Sequence, residues 1–223
     1  MMRPPGEPEK KPRIVILISG SGSNMLAIAE AVKSGDIDAE VAAVISNRPE
    51  AAGLQKARDR DIPCVGLDHK EYQSREHFDV ALMRKIDEYE PDVLVLAGFM
   101  RILTPDFVRR YEGRMLNIHP SLLPKYQGLN THQRAIDAGD SEHGVTVHFV
   151  TEVLDDGPNV IQAAVTINAD DDATNLQKRV QQQEHIIYPI AVKWFVSGRL
   201  VMKDNKALLD GKQLPEAGLR LEQ

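Results

Sequence analysis

The stretch RIVILISGSGSN, residues 13–24, decides the fold. Its first seven residues form an almost continuous run of aliphatic side chains, which is typical of a parallel strand buried on both faces. A glycine loop follows at once, and an amphipathic segment then begins at Asn24 and ends at Gly35. A buried strand that passes through a glycine loop into a helix predicts the first unit of an α/β protein.

The same alternation of strands and helices continues along the chain. Further strands are predicted at 41–46, 63–67, 92–98, 114–119, 143–150 and 159–167, and helices at 49–60, 74–90 and 173–195, the last of which is expected to end the ordered core. This pattern favours a doubly wound, Rossmann-like α/β fold with a mostly parallel central sheet flanked by helices. We expect a single domain at 13–214, a disordered lead-in at 1–12 and a C-terminal tail at 215–223.

Composition excludes several classes of protein. The 223 residues carry a net charge of -6, which argues against a general nucleic-acid binder because such a protein needs a basic face. Cys64 is the only cysteine, so neither an intrachain disulfide nor a cysteine-based zinc site is possible. No apolar run approaches the ~20 residues that span a bilayer, and the first twelve residues do not resemble a secretory signal. We therefore expect a cytoplasmic protein without a membrane partner.

The glycine loop ISGSGSN, residues 18–24, is a candidate anion site. In open α/β sheets ligands bind at the carboxyl ends of the strands, and the start of a helix offers free N–H groups there. Gly20 and Gly22 match the first two glycines of the dinucleotide motif G-x-G-x-x-G, but Met25 occupies the third place. The loop thus favours phosphate over a dinucleotide, and the alternative is a tight turn that binds nothing.

A second candidate site lies in RMLNIHPSLLPKYQG, residues 114–128. Pro120 holds His119 in an extended conformation, and Asn117 points to the same face of the predicted strand. The turn LDDGP, residues 154–158, is either a plain turn or the source of a carboxylate that favours a charged His119 imidazolium. The sequence leaves both a structural and a catalytic role open for His119. His143 and His148 are five residues apart on one strand and face opposite sides, so they make a poor metal site.

With these motifs in place, the chain resembles the folate-dependent phosphoribosylglycinamide formyltransferases of purine synthesis. The segments that carry the resemblance are ISGSGSN, SNRPEAAGL, LAGFMRIL, LNIHPSLLPKY, HGVTVHFV with LDDGP, and QQQEHIIYP, and they extend from about residue 13 to about residue 214. The resemblance implies a one-carbon transferase that uses 10-formyltetrahydrofolate as co-substrate, needs no metal and acts on small molecules as a monomer or a homodimer.

The resemblance also assigns roles to individual residues. Asn117, His119 and Asp155 would be catalytic, with Asp156 as a less favoured partner of the histidine. The ribotide substrate would be bound by Gly22, Ser23, Asn24, Gln181 and Glu184. The folate would be bound by Arg75, Met100, Arg101, Ile102, Leu103, Asn117, Thr151 and Asp155. In the implied reaction the glycinamide amine attacks the formyl carbon, and Asn117 and protonated His119 donate to the resulting oxyanion.

The sequence departs from the family pattern at three positions. Gln127 replaces the usual proline, Asn130 replaces a histidine, and Asn159 stands where an apolar residue is usual. Two alternatives to the transferase remain. One is a 10-formyltetrahydrofolate hydrolase, which would use the same site but is expected to carry an additional N-terminal regulatory domain. The other is a nucleotide-binding regulator without catalytic activity.

Overall fold

The structure is a computed structural model, and it describes residues 10–221. The first half of the chain alternates strands and helices: β1 (Arg13–Ile18), α1 (Ser23–Lys33), β2 (Glu40–Ser46), α2 (Ala52–Arg58), β3 (Cys64–Gly66), α3 (Arg75–Asp87) and β4 (Val93–Leu96). The second half contains α4 (Pro105–Arg110), β5 (Met115–His119), α5 (Thr131–Asp137), β6 (Glu142–Phe149), β7 (Asn159–Thr166), α6 (Ala173–Val196), β8 (Leu200–Lys203), β9 (Lys206–Leu209), β10 (Lys212–Gln213) and β11 (Leu219–Arg220).

The central sheet has eight strands in the order β11-β7-β6-β5-β4-β1-β2-β3. Strands β1 to β5 pair with one another in parallel, whereas β6 pairs antiparallel with both β5 and β7. The chain leaves β1 toward β2 and later returns to β4 on the other side, so the strand order reverses between β1 and β4. Open α/β sheets bind ligands in the crevice at such a reversal. The predicted fold class is confirmed.

The core lies on both faces of this sheet, and β1 shows why its sequence is apolar throughout. Ile14, Ile16 and Ile18 pack into the cluster that includes residues of α1 and α6, whereas Val15 and Leu17 pack into the cluster that includes residues of α3 and α4. Successive side chains of a strand point to opposite faces, so a strand covered on both sides needs no polar position. This packing fixes the carboxyl ends of β1, β4 and β5 side by side.

The end of the chain differs from the expectation that α6 ends the ordered core. Strands β8, β9 and β10 form a separate antiparallel sheet, and β11 pairs in parallel with β7 at the edge of the main sheet. Residues 219–220 of the expected tail therefore belong to the main sheet. Of the expected lead-in, residues 1–9 lie outside the described part of the chain. Lys10 and Lys11 form ion pairs with Glu90 and Asp38, at 2.8 and 2.9 Å.

Candidate active site

The glycine loop and α6 form one end of the candidate site. Gly22 caps α1 with φ +71°, and a Cβ at this position would lie 2.9 Å from the Cα of Gly53, so only glycine fits without strain. The side chains that follow contact α6 across the cleft. Gln181 Nε2 donates to Ser23 Oγ at 3.1 Å, and Asn24 Nδ2 donates to Glu184 Oε2 at 2.7 Å. The residues assigned to the ribotide therefore lie together.

Two polar groups in this cluster are poorly satisfied by the protein itself. Burial raises the pKa of Glu184, and the hydrogen bond from Asn24 only partly opposes that effect. Asn24 Oδ1 is buried without a hydrogen-bond partner among the described residues. Buried polar groups normally find partners, so both groups have unused capacity for a polar ligand beside the N-terminus of α1.

The folate-assigned segment that follows β4 is tied to the glycine loop at the strand reversal. Ser19 donates its backbone N–H to the Gly98 carbonyl at 3.1 Å, and its Oγ accepts from the backbone N–H of Met100 at 2.8 Å. Met100 and Ile102 are 61% and 60% exposed, which is high for large apolar side chains and leaves them available to cover an apolar ligand.

A buried carboxylate lies beneath the same segment. Asp79 accepts a hydrogen bond from the backbone N–H of Thr104 at 2.7 Å, and burial raises the pKa of Asp79. Arg101 stacks over the ring of Phe78, with 4.7 Å between the guanidinium carbon and the ring centroid. These contacts fix the two ends of the segment on α3. Leu103 is half-buried against the core, and Arg75 is exposed at the start of α3.

Asn117 lies near the end of β5, directly opposite His148 on β6. His148 Nδ1 lies 2.8 Å from the Phe149 carbonyl, which can only accept, so Nδ1 carries the proton. Burial lowers the pKa of His148, which keeps the ring neutral and leaves Nε2 as an acceptor. Nε2 lies 3.2 Å from Asn117 Nδ2. His148 therefore orients the amide of Asn117, a role that the sequence did not reveal.

His119 ends β5 and faces two acceptors of the protein. Its Nδ1 lies 3.5 Å from Asp155 Oδ2, and its Nε2 donates to the Tyr126 carbonyl at 2.8 Å. Asp155 is 9% exposed and also lies 3.9 Å from His148 Nε2 through its other oxygen. The neighbouring Asp156 is exposed. The structure thus brings Asn117, His119 and Asp155 together and favours Asp155 over Asp156 as the partner of the histidine.

The turn that carries Asp155 also presents apolar side chains. Val153 and Leu154 are 62% and 54% exposed, and Thr151 Oγ1 lies 3.4 Å from the Val153 carbonyl. Asp155 has φ +51°, in the left-handed region that is uncommon for residues other than glycine. Behind the turn lies a cavity of about 370 Å³ lined by residues such as Asp155, Asp156 and Lys206. This cavity does not include Asn117 or the glycine loop.

The described residues can also be compared with the requirements of a metal site and of a membrane span. Within residues 10–221, no group of three or more histidine, cysteine or acidic side chains is placed to bind a metal ion. Over the same residues, no helix combines the length and hydropathy that a membrane span requires.

Two of the three departures from the family pattern have defined places in the structure. Asn130 caps α5 with φ +56°, and Asn159 donates its side-chain amide to the Glu216 carbonyl at 2.9 Å.

Comparison with known proteins agrees with this geometry. Residues 12–192 match the formyl transferase family model. The phosphoribosylglycinamide formyltransferase of Escherichia coli K12 is 54% identical over 205 residues, which are 92% of this chain and 97% of that protein. The solved phosphoribosylglycinamide formyltransferase of Coxiella burnetii is 50% identical with a TM-score of 0.91, over 95% of this chain and 100% of the other.

A solved formyltetrahydrofolate deformylase from Pseudomonas syringae pv. tomato is more distant. It is 28% identical with a TM-score of 0.83, and the match covers 90% of this chain but only 66% of that one. The family match and the high identity over nearly the full length of the transferases agree with the cleft described above. The chain therefore belongs to the formyl transferase family.

Proposed function

We propose that the chain transfers the formyl group of 10-formyltetrahydrofolate to the amine of N1-(5-phospho-D-ribosyl)glycinamide, a step of purine biosynthesis. The observation that carries the proposal is that Asn117 and His119 of β5 lie together with Asp155 of the turn after β6, at the same edge of the sheet as the glycine loop. The same cleft thus offers oxyanion donors and a place for the phosphate of the acceptor.

The ribotide is proposed to lie between α1 and α6. Its phosphate would receive N–H groups from the start of α1, where Gly22 leaves room for close approach. Gln181 and Glu184 already contact the first turn of α1 through Ser23 and Asn24, so they can bind the ribose and the glycinamide without large movement. The buried carboxylate of Glu184 would gain a partner in the ligand's hydroxyl or amine, which relieves its desolvation.

The folate is proposed to lie on the other side of Asn117. The exposed side chains of Met100 and Ile102 and the backbone of residues 100–103 would contact its flat ring. The Thr151–Asp155 turn would close over it, with Arg75 near the edge. A pterin has donors and acceptors along one side, and backbone groups of irregular segments are suited to recognise such an edge.

The chemistry needs no metal because the formyl group is already activated. The glycinamide amine forms a new C–N bond to the formyl carbon, and the carbonyl oxygen becomes an oxyanion. Asn117 has one amide hydrogen directed at His148 and a second that can donate to this oxyanion. Collapse breaks the bond to N10 of the folate, and the amine's proton passes to that nitrogen. Asp155 balances the positive charge of a His119 imidazolium in this step.

His119 must exchange one contact to reach the oxyanion. Both of its nitrogens face acceptors in the protein, the carboxylate of Asp155 and the carbonyl of Tyr126. A donor hydrogen can be shared or redirected when a stronger, negatively charged acceptor arrives, because charge-assisted hydrogen bonds are the stronger ones. The ring therefore holds its position in the free protein and redirects Nε2–H when the folate and ribotide are bound.

The reaction is proposed to take place in the cytoplasm.

The test measures loss of 10-formyltetrahydrofolate by the purified protein, with and without the ribotide. Loss that depends on the ribotide and matches formation of the formylated ribotide supports the transferase. Equal loss without the ribotide would mean that water is the acceptor and would replace the proposal with the hydrolase. A folded protein that consumes no folate under either condition but binds the ribotide would favour the non-catalytic regulator.

A further inference from the structure

Residues 126–128 contact both members of the His119–Asp155 pair. The Tyr126 carbonyl accepts from His119 Nε2 at 2.8 Å, and the backbone N–H of Gly128 donates to Asp155 Oδ2 at 3.0 Å. Between them, Gln127 Nε2 donates to the backbone carbonyl of Asp155 at 3.1 Å. One short segment thus holds the ring, the carboxylate and the backbone that carries the carboxylate.

The backbone on both sides of these contacts needs support. Tyr126 and Asp155 have φ +56° and +51°, a conformation that costs energy for residues with a side chain. At Tyr126 the support comes from its hydroxyl, which donates to Asp140 at 2.7 Å, and from Arg134, which lies 5.2 Å from the ring centroid. At Asp155 the side-chain amide of Gln127 supports the turn from outside.

Helix α5 fixes the residue from which that amide reaches. Arg134 Nη1 donates to the Gln127 carbonyl at 2.7 Å and lies 3.2 Å from the Leu129 carbonyl. The backbone of Gln127 therefore has a defined place, and its side chain spans from this place to the turn. A glutamine whose main chain is already fixed loses less conformational freedom when its amide binds a carbonyl.

We propose that Gln127 is a positioning residue that keeps the Asp155 carboxylate directed at His119. The inference rests on the proposed function. The simpler alternative is an exposed glutamine whose hydrogen bond has no consequence, because exposed polar contacts often contribute little. The location of the hydrogen bond favours the positioning role. The carbonyl that Gln127 binds belongs to Asp155, whose carboxylate lies 3.5 Å from the His119 imidazole.

The experiment compares Gln127→Met and Gln127→Glu with the matched control Gln133→Met. Methionine keeps the length of the side chain but cannot donate, whereas glutamate keeps the shape and directs an oxygen at the Asp155 carbonyl. Gln133 is an exposed glutamine on α5 whose amide contacts Asp137 at 2.7 Å, away from the pair. Because Gln127 is exposed as well, we expect each variant to unfold near the wild-type temperature.

We expect Gln127→Met to lower kcat by about 2- to 10-fold, the range that one neutral hydrogen bond represents, and Gln127→Glu to lower it further. The KM for the ribotide should stay within about twofold, because its proposed contacts lie on α1 and α6. Gln133→Met should turn over like the wild type.

Several outcomes would overturn the inference. Wild-type kcat in both Gln127 variants would show that the hydrogen bond has no role in positioning. An equal fall in kcat in Gln133→Met would show a general effect of substitutions in and near α5. A raised KM for the ribotide with unchanged kcat would show that Gln127 acts in substrate binding. Wild-type turnover is measured first, so a failure of the proposed function is seen before the variants are compared.

Discussion

His143 should make the folded protein sensitive to mild acid. Its side chain is 1% exposed on β6, and burial lowers its pKa from 6.5 to about 4. The neighbouring ring of His132, 5.1 Å away between centroids, adds to this effect, whereas Asp140 and the Pro120 carbonyl oppose it. The folded state thus keeps a neutral imidazole at a pH at which the unfolded chain would already be protonated.

The sign and size follow from this difference in pKa. Between pH 6.5 and pH 4 the unfolded state binds the proton more tightly, so stability is full above that window and falls as the pH is lowered through it. Protonation of His143 makes the unfolding equilibrium constant at pH 5.0 about 30 times larger than at neutral pH. This lowers the free energy of unfolding by about 2 kcal/mol through His143 alone. This is a sizeable share of the ~5–15 kcal/mol that stabilises a typical domain.

Urea unfolding at pH 7.5 and pH 5.0 tests this expectation. The wild type should lose about 2 kcal/mol more than His143→Gln between the two pH values, because glutamine does not titrate. The exposed histidine of α3 supplies the control, and His77→Gln should lose as much as the wild type. A difference below about 0.5 kcal/mol between His143→Gln and the wild type would refute the reasoning, since it would mean that His143 takes up its proton without unfolding.

Three further substitutions test other parts of the site. Asn117→Ala should lower kcat by about 10²- to 10³-fold in steady-state assays, as expected for a lost oxyanion donor, and full turnover would remove that role. Glu184→Gln should raise the free energy of unfolding at pH 7, since burial raises the pKa of this acid, and this gain should vanish as acid protonates Glu184 in the wild type. The same change should increase the KM for the ribotide. Gly157→Ala should destabilise the protein by about 1–3 kcal/mol and lower kcat, because its Cβ would lie 1.9 Å from the Phe149 carbonyl oxygen; unchanged urea unfolding would contradict this.

The sequence predicts the parallel half of the fold well because burial on two faces leaves a direct trace. β1, β2 and β4 read as largely apolar runs, and α1 and α3 are followed by Gly35 and Pro91, residues that commonly mark the end of a helix. α4, α5 and the strands after α6 have no such trace, because they are short and none of them is a continuous apolar run. Their order depends on packing from elsewhere: Leu200, Ala207 and Leu214 join the core beside α6.

The candidate site divides in the same way. Asn117 and His119 can be found from their spacing and from the proline that follows, which are local features. His148 cannot, because its role depends on the antiparallel register that pairs it with Asn117. A slip of one residue would turn the opposite side chain away from the site. Gln127 is hidden for a similar reason, since the turn that it binds is 28 residues away along the chain.

Histidines of one small region thus take different tasks because their surroundings differ. Burial lowers the pKa of His148 and of His143, so each presents a neutral ring; in His148 this ring serves as the acceptor that holds Asn117. His119 instead ends its strand between a carboxylate and a carbonyl, where a proton on each nitrogen finds an acceptor. A site can use one residue type both as a donor and as an acceptor only if the burial and the neighbours of the two side chains differ. The Asp155 turn supplies that separation because it brings its carboxylate closer to His119 than to His148. The contacts that fix this turn therefore matter for the proposed chemistry although they touch no substrate.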